Sequence, residues 1–251
     1  MTNLIRSFAD GEVGHVVLDR PQKRNAMTTE MLLEVRDRAH ELAQQVRVIC
    51  VRGSQGVFSA GADIAEWFDV SADTAESRSA RGRTALTELS ALPVPTIAVV
   101  EGLALGGGLE LALACDLRIA AVDAKLGLPE LTLGNLPGWG GMARLRDVTS
   151  LAVVRRMVLT AEIVDGDEAA RRGIVHEAHP PAEVDAAVER GVAAVLTTDA
   201  ASARHAKMVM VGLVSDSPTE PAIAGLSAVS QASHARKQAF LDGRRAKAAT
   251  R

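Results

Sequence analysis

The stretch Leu103-Ala104-Leu105-Gly106-Gly107-Gly108-Leu109-Glu110-Leu111-Ala112-Leu113-Ala114-Cys115-Asp116 constrains the fold more than any other part of this 251-residue chain. Three consecutive glycines each cost roughly 0.5 to 1 kcal/mol to order within an element, relative to alanine. They point to backbone that bends unusually or approaches something closely. A run of good helix formers follows. A glycine turn feeding a helix aims free backbone N–H groups, aided by the helix dipole, at any oxygen held above it. A tight strand-to-helix turn with no ligand fits the spacing equally well. Glu110 falls one turn into the helix, among Leu109, Leu111, Ala112 and Leu113. There a carboxylate faces the core or a pocket, where desolvation raises its pKa towards values useful for proton transfer. The plainer reading is a first-turn acid complementing the helix dipole.

Two further segments carry candidate chemistry. In Val57-Phe58-Ser59-Ala60-Gly61-Ala62-Asp63-Ile64 a glycine among small residues follows an apolar strand and can present an N–H to a ligand, with Asp63 as the N-cap of the next helix. The segment from Gly127 to Gly141 is rich in Gly and Pro and carries one carboxylate, Glu130; such loops often line sites on a rigid scaffold. Gly138-Trp139-Gly140-Gly141-Met142-Ala143 fits the G-x-G-x-x-A dinucleotide pattern, but Leu133 to Pro137 before it do not form a strand, which discounts the match. His176 and His179 bracket Glu177 without an H-E-x-x-H helix and sit just before Pro180-Pro181, so no metal site is expected. There is no G-x-S-x-G elbow and no Walker-type phosphate loop.

Composition narrows the function classes. With 47% apolar and 24% charged residues the chain reads as an ordinary globular protein. No apolar run reaches the roughly 18 residues of a spanning helix, and the opening Met1-Thr2-Asn3-Leu4-Ile5-Arg6 has no secretory pattern, so a cytoplasmic location is expected. A net charge of −3 offers no broad field for nucleic acid. No Tyr, four Phe and two Trp make base-stacking platforms an unpromising reading. Cys50 and Cys115, each in an apolar segment, read as buried free thiols.

Periodicity predicts strands over Leu4–Phe8 and Val13–Leu18 joined at Asp10-Gly11, then a helix over Thr28–Gln45. It also predicts buried strands over Val46–Val51, Thr96–Val100 and Leu117–Val122 with helices between them. Helices over Val184–Leu196, Ala200–Val214 and Pro221–Leu241 close the chain. The expected organisation is an α/β core over residues 1–195 with a helical region over 196–251.

In order, spacing and wording, Ser-Ala-Gly-Ala-Asp-Ile, Ala-Leu-Gly-Gly-Gly-x-Glu-Leu-Ala and Pro-Glu-x-x-Leu-Gly resemble the crotonase (enoyl-CoA hydratase/isomerase) superfamily. The likeness extends from Arg20-Pro21-Gln22-Lys23-Arg24-Asn25-Ala26 to Phe240-Leu241-Asp242-Gly243-Arg244-Arg245. It implies a spiral core of repeated ββα turns with a C-terminal helical region that builds trimers, often paired into hexamers. It also implies an acyl-CoA substrate whose thioester carbonyl is held by the N–H groups of Ala62 and Gly107, each donor worth roughly 3 to 4 kcal/mol as enolate charge develops. No permanently bound cofactor is implied; coenzyme A arrives as part of the thioester.

Members that hydrate the 2,3 double bond carry glutamates where Glu110 and Glu130 stand, and other members keep one or neither. Both are present here. The resemblance therefore favours a hydratase with Glu110 as base towards water and Glu130 as proton donor to C2, the pair titrating as a unit. An isomerase, or another reaction through the thioester enolate, is the alternative; a non-hydrating acyl-CoA-binding or RNA-binding member is a further one. By the same resemblance the coenzyme crosses Arg24, Ala26, Ala60, Asp63 and Ile64, and Gly106, Pro129, Leu133 and Trp139 line the substrate site. The basic cluster Arg236, Lys237, Arg244, Arg245 and Lys247 either reaches a neighbouring subunit's coenzyme or is a solvated helix end. Hydratases commonly have a small residue at the place of Trp139. An indole there either reshapes the acyl pocket, leaving chain length open, or packs outside it.

Overall fold

The computed structural model describes the backbone of residues 4–212 and 219–249, and the side chains of 4–210 and 223–242. The hairpin of β1 (Ile5–Asp10) and β2 (Val13–Leu18) turns at Gly11, whose φ of 56° suits a residue without a Cβ. Helix α1 (Thr29–Leu42) starts where the Thr28 hydroxyl accepts the Met31 N–H at 3.2 Å. Strand β3 (Val48–Gly53), helix α2 (Ala72–Ser90) and strand β4 (Thr96–Val100) follow. Next come β5 (Leu103–Leu105), α3 (Gly107–Ala114), β6 (Leu117–Ala121) and β7 (Lys125–Gly127). The core is completed by α4 (Gly141–Val148), α5 (Leu151–Leu159), β8 (Ile163–Asp165), α6 (Gly166–Arg171) and β9 (Glu177–His179).

Six strands form one sheet in the order β1-β2-β3-β4-β6-β9, parallel from β2 onward, and β5-β7-β8 form a second. Three successive turns of chain lay one strand in each sheet: β4 then β5, β6 then β7, and β8 then β9. The near-continuous apolar runs are explained by burial of both faces of the large sheet. Ile49 and Val51 face the main core, whereas Val48 and Cys50 face α7 (Val184–Thr197), packing with Ile97, Ile119 and Ala187. The expected boundary after residue 195 thus falls in the last turn of a helix that seals the sheet.

Beyond it lie α8 (Ala200–Gly212), α9 (Thr219–Ala228) and α10 (Gln231–Ala249). The helix expected over Pro221–Leu241 is two, because the chain breaks at Val229-Ser230 and the Ser230 hydroxyl accepts the Ser233 N–H at 3.1 Å, a cap that periodicity does not register. The end of the expected Ala200–Val214 helix, residues 213 and 214, lies outside the described residues. Helix α8 is tied to the sheet by Lys207, which is buried and donates to the Asp116 carboxylate at 2.6 Å and to the Val94 carbonyl at 2.9 Å.

Candidate active site

Parallel register gathers the three motif segments. Ser59 bridges Ala104 in parallel, and Ala104 pairs with Leu126 in parallel, so the chain leaves all three on the same side. The continuations are Ala60 to Asp63, Gly106 to Glu110, and Leu128 to Leu133. Together with the Gly138-Trp139 turn they enclose a cavity of about 240 Å³ lined by Ala60, Ala62, Ile64, Gly106, Gly107, Glu110, Pro129, Glu130, Leu133 and Trp139. Gly61, Leu105, Thr132 and Gly138 also line it, as do Trp67, Ser79, Asn135 and Leu136, which lie outside the three motifs.

Two residues that line this space, Ala62 and Gly107, have N–H groups turned away from the neighbouring backbone ladders for separate reasons. Met27 donates to the Gly61 carbonyl and accepts from the Asp63 N–H, both at 2.7 Å, which turns the intervening Ala62 N–H the other way. Gly107 is the first residue of α3, so its N–H has no carbonyl one turn earlier to meet. The bend before it is made by Gly106 at φ 51°, ψ −124°, a region that L side chains avoid. The expected pair is therefore brought to one cavity wall.

Glu110 is only 2% exposed, and its Oε1 accepts the N–H of Trp139 at 2.9 Å and of Gly141 at 2.7 Å. Burial pushes its pKa up to about 7; the Gly141 N–H opposes this, the Glu130 charge adds to it, and the Trp139 N–H and the Arg144 charge oppose it. Glu130 opens a short 3-10 turn, Glu130–Leu133, three residues past β7. Its Oε1 lies 2.9 Å from where a Cβ on Gly106 would stand, and its Oε2 is buried with no hydrogen-bond partner among the described residues. Burial raises its pKa as well.

Trp139 belongs to the cavity wall and is 2% exposed, so the indole does not pack outside the pocket. It is wedged between α2 and α3 at two glycines: a Cβ on Gly82 would come within 2.3 Å of its Nε1, and one on Gly107 within 2.3 Å of its Cζ3.

Arg24, Ala26 and Asp63 stand beside the cavity rather than on it. Arg24 is exposed, with φ 51°, and its carbonyl accepts the Ala60 N–H at 2.9 Å. The Asp63 carboxylate is occupied by Arg20 at 2.7 Å and caps the following turn through the Ala65 N–H at 3.2 Å. Burial works against its ionised form, but the hydrogen bonds from Arg20 and Ala65 and the charges of Arg20 and Lys23 hold the carboxyl below its ordinary range. Arg236 donates to the Thr197 and Thr198 carbonyls and Lys237 to that of Ala228. The side chains of Arg244, Arg245 and Lys247 lie outside the described ones.

A buried scaffold went unnoticed in the sequence. Asn25, fully buried at φ 55°, accepts the Arg20 N–H at 2.9 Å and donates to the carbonyls of Ser54 at 3.1 Å and Val57 at 2.6 Å. Ser59 Oγ donates to the Asn25 carbonyl at 2.8 Å and accepts the Gly61 N–H at 3.1 Å. The signal available was an Asn, which tolerates left-handed backbone, directly after Arg24 in a Pro-initiated turn. His176 accepts the Arg118 N–H at 3.1 Å, and His179 pairs with Glu177 at 2.8 Å.

The family model described as Enoyl-CoA hydratase/isomerase matches residues 9–242. The chain is 36% identical over 193 residues to the crotonyl-CoA hydratase of Syntrophomonas wolfei, covering 76% of this chain and 74% of that one. It is 40% identical over 192 residues to human enoyl-CoA hydratase domain-containing protein 2, mitochondrial, covering 74% of this chain and 66% of the relative. The match spans 57% of the mouse protein of the same name, with 42% identity over 169 residues and 66% of this chain covered. The enoyl-CoA hydratase structure from Bacillus anthracis superimposes with a TM-score of 0.88 at 28% identity, covering 96% of this chain and 97% of that one. With the family's model matching residues 9–242 of the chain and the family's fold reproduced, the chain belongs to the enoyl-CoA hydratase/isomerase family of the crotonase superfamily.

Proposed function

We propose that the protein hydrates 2-enoyl-CoA thioesters, adding water syn across the 2,3 double bond to give 3-hydroxyacyl-CoA. The observation that carries this reading is that Glu110 and Glu130 line one cavity beside the Gly107 N–H, both with raised pKa values. The thioester oxygen sits between the Ala62 and Gly107 N–H groups. Ionised Glu110 takes a proton from water as its oxygen bonds to C3, and the electron pair of the double bond moves onto the thioester oxygen, where the two donors stabilise it. Protonated Glu130 then delivers a proton to C2 and the carbonyl reforms. Two carboxyls lining one cavity, both made harder to ionise by burial, suit this division of roles.

Coenzyme A, as part of the substrate, extends over Arg24, Ala26, Ala60, Asp63 and Ile64, where Asn25, Ser59 and the Arg20–Asp63 pair hold the backbone rigid. Self-association into a trimer or hexamer is supported by the exposed apolar side chains Met208, Met210 and Leu226 on the C-terminal helices and Val229 between two of them. Light scattering on the eluting protein measures that mass.

The test is loss of the 2-enoyl thioester ultraviolet absorbance with crotonyl-CoA for wild type, Glu110→Gln and Glu130→Gln. Collapse of turnover in both variants is expected. Isomerisation of a 3-enoyl-CoA that survives Glu110→Gln, with no hydration in the wild type, would instead assign a double-bond shift through the same enolate.

A further inference from the structure

We propose that Arg144 is a positioning residue that acts on Glu110 through the turn Trp139–Gly141, an inference that rests on Glu110 serving as the base. The Glu110 Oε1 is held by the N–H groups of the peptides entering Trp139 and Gly141. The peptide between them carries the Trp139 carbonyl, and Arg144 Nη1 donates to that oxygen at 2.7 Å. Its other arm, Nη2, reaches Thr87 Oγ1 on α2 at 3.2 Å, and Thr87 in turn donates to the Arg83 carbonyl at 2.9 Å. One guanidinium thus fixes the plane between the two donors and anchors it to a second helix. Gly140, which follows that carbonyl, stands at φ 96°, a backbone region that glycine adopts without strain.

Charge adds to geometry. Among the described residues Arg144 has no salt-bridge partner, and most of its side chain is withdrawn from water. The charged groups facing Glu110 are Glu130, which opposes its ionisation, and Arg144 on α4, which favours it; Arg83 of α2 and Asp147 of α4 act on Arg144 with opposite signs. Lysine at position 144 would keep the charge and lose the fork that spans Trp139 and Thr87. Glutamine would lose both.

The measurement is the pH profile of crotonyl-CoA hydration for wild type, Arg144→Lys, Arg144→Gln, Thr87→Val and Glu110→Gln, with melting curves for each. Arg144→Gln is expected to lower kcat by about 10- to 100-fold, with KM changed by less than about threefold. The acid limb of its kcat/KM profile moves to higher pH, because loss of the positive charge leaves Glu110 harder to ionise. Arg144→Lys keeps the wild-type limb with a reduced kcat, and Thr87→Val, which frees only the outer arm, gives a smaller loss of kcat. The proposal falls if Glu110→Gln is inactive while both Arg144 variants retain wild-type kcat and acid limb. A Glu110→Gln variant as active as wild type would remove the underlying reading instead. In that event infrared titration of the Glu110 carboxyl, read as wild type minus Glu110→Gln, still decides: an unchanged midpoint in Arg144→Gln overturns the role of Arg144, and a raised one upholds it.

Discussion

The indole of Trp139 lies against Gly107 so closely that a Cβ on that glycine would stand 2.3 Å from Cζ3. The residue proposed to offer its N–H to the thioester oxygen therefore also forms the bed for a tryptophan of the cavity wall, and Gly82 forms the opposite bed. Acyl-pocket shape and oxyanion geometry share one contact.

Gly82→Ala forces the ring to move, and overpacking of this kind costs about 1 to 3 kcal/mol. Trp139→Ala empties the slot at a cost of about 3 to 5 kcal/mol. In the double variant Gly82→Ala should add almost nothing, a coupling that thermal denaturation of all four proteins measures directly. Trp139→Ala should also shift the preference among 2-enoyl-CoAs towards longer chains. An unchanged order of kcat/KM from four to ten carbons would remove the indole as a chain-length determinant.

Glu110 is ionised at a stability cost. Its folded pKa of about 7 lies above the 4.5 of an exposed glutamate, so the folded protein holds this proton more tightly than the unfolded chain. The penalty is absent below about pH 4.5, grows as pH rises and is complete above about pH 7, amounting to about 3 kcal/mol. Glu110→Gln carries no such charge. Urea denaturation should show the variant gaining on wild type between pH 5 and pH 8, and a difference that stays flat across that range would contradict the shift.

Asn25→Ala takes the donor from the Val57 carbonyl, one of two donors from the Ser54 carbonyl, and the acceptor from the Arg20 N–H. Each unsatisfied buried group costs about 1 to 3 kcal/mol, so the melting temperature should fall by several degrees. Because the same side chain fixes the loop that carries the Arg24 carbonyl under Ala60, affinity for coenzyme A measured by calorimetry should fall too. Unaltered affinity in a destabilised variant would confine Asn25 to folding.

The sequence by itself determined the candidate groups of the site and most of the local elements. Glu110, Glu130 and the small residues of the Ala60–Ala62 and Gly106–Gly108 stretches stand in recognisable contexts, and α1 begins at Thr29, directly after the Thr28 hydroxyl that caps it. Periodicity and capping are short-range properties, so they survive being read one residue at a time. The three-residue strands β5, β7, β8 and β9 were out of reach, since three residues hold too few repeats to show a period. The break at Val229-Ser230 was hidden because an apolar pattern can run through a single serine cap.

Only the tertiary structure decided how those groups meet. Glu110 and Glu130 share a cavity because β5 and β7 pair in parallel with Leu105 opposite Gly127, so that the chain leaves both strands on one side. Asn25, Arg144 and the two glycine beds of Trp139 act across the fold, through hydrogen bonds and contacts between residues from 5 to 57 positions apart. Long-range pairing and close packing are set by the chain's whole arrangement, which no local pattern of residues encodes.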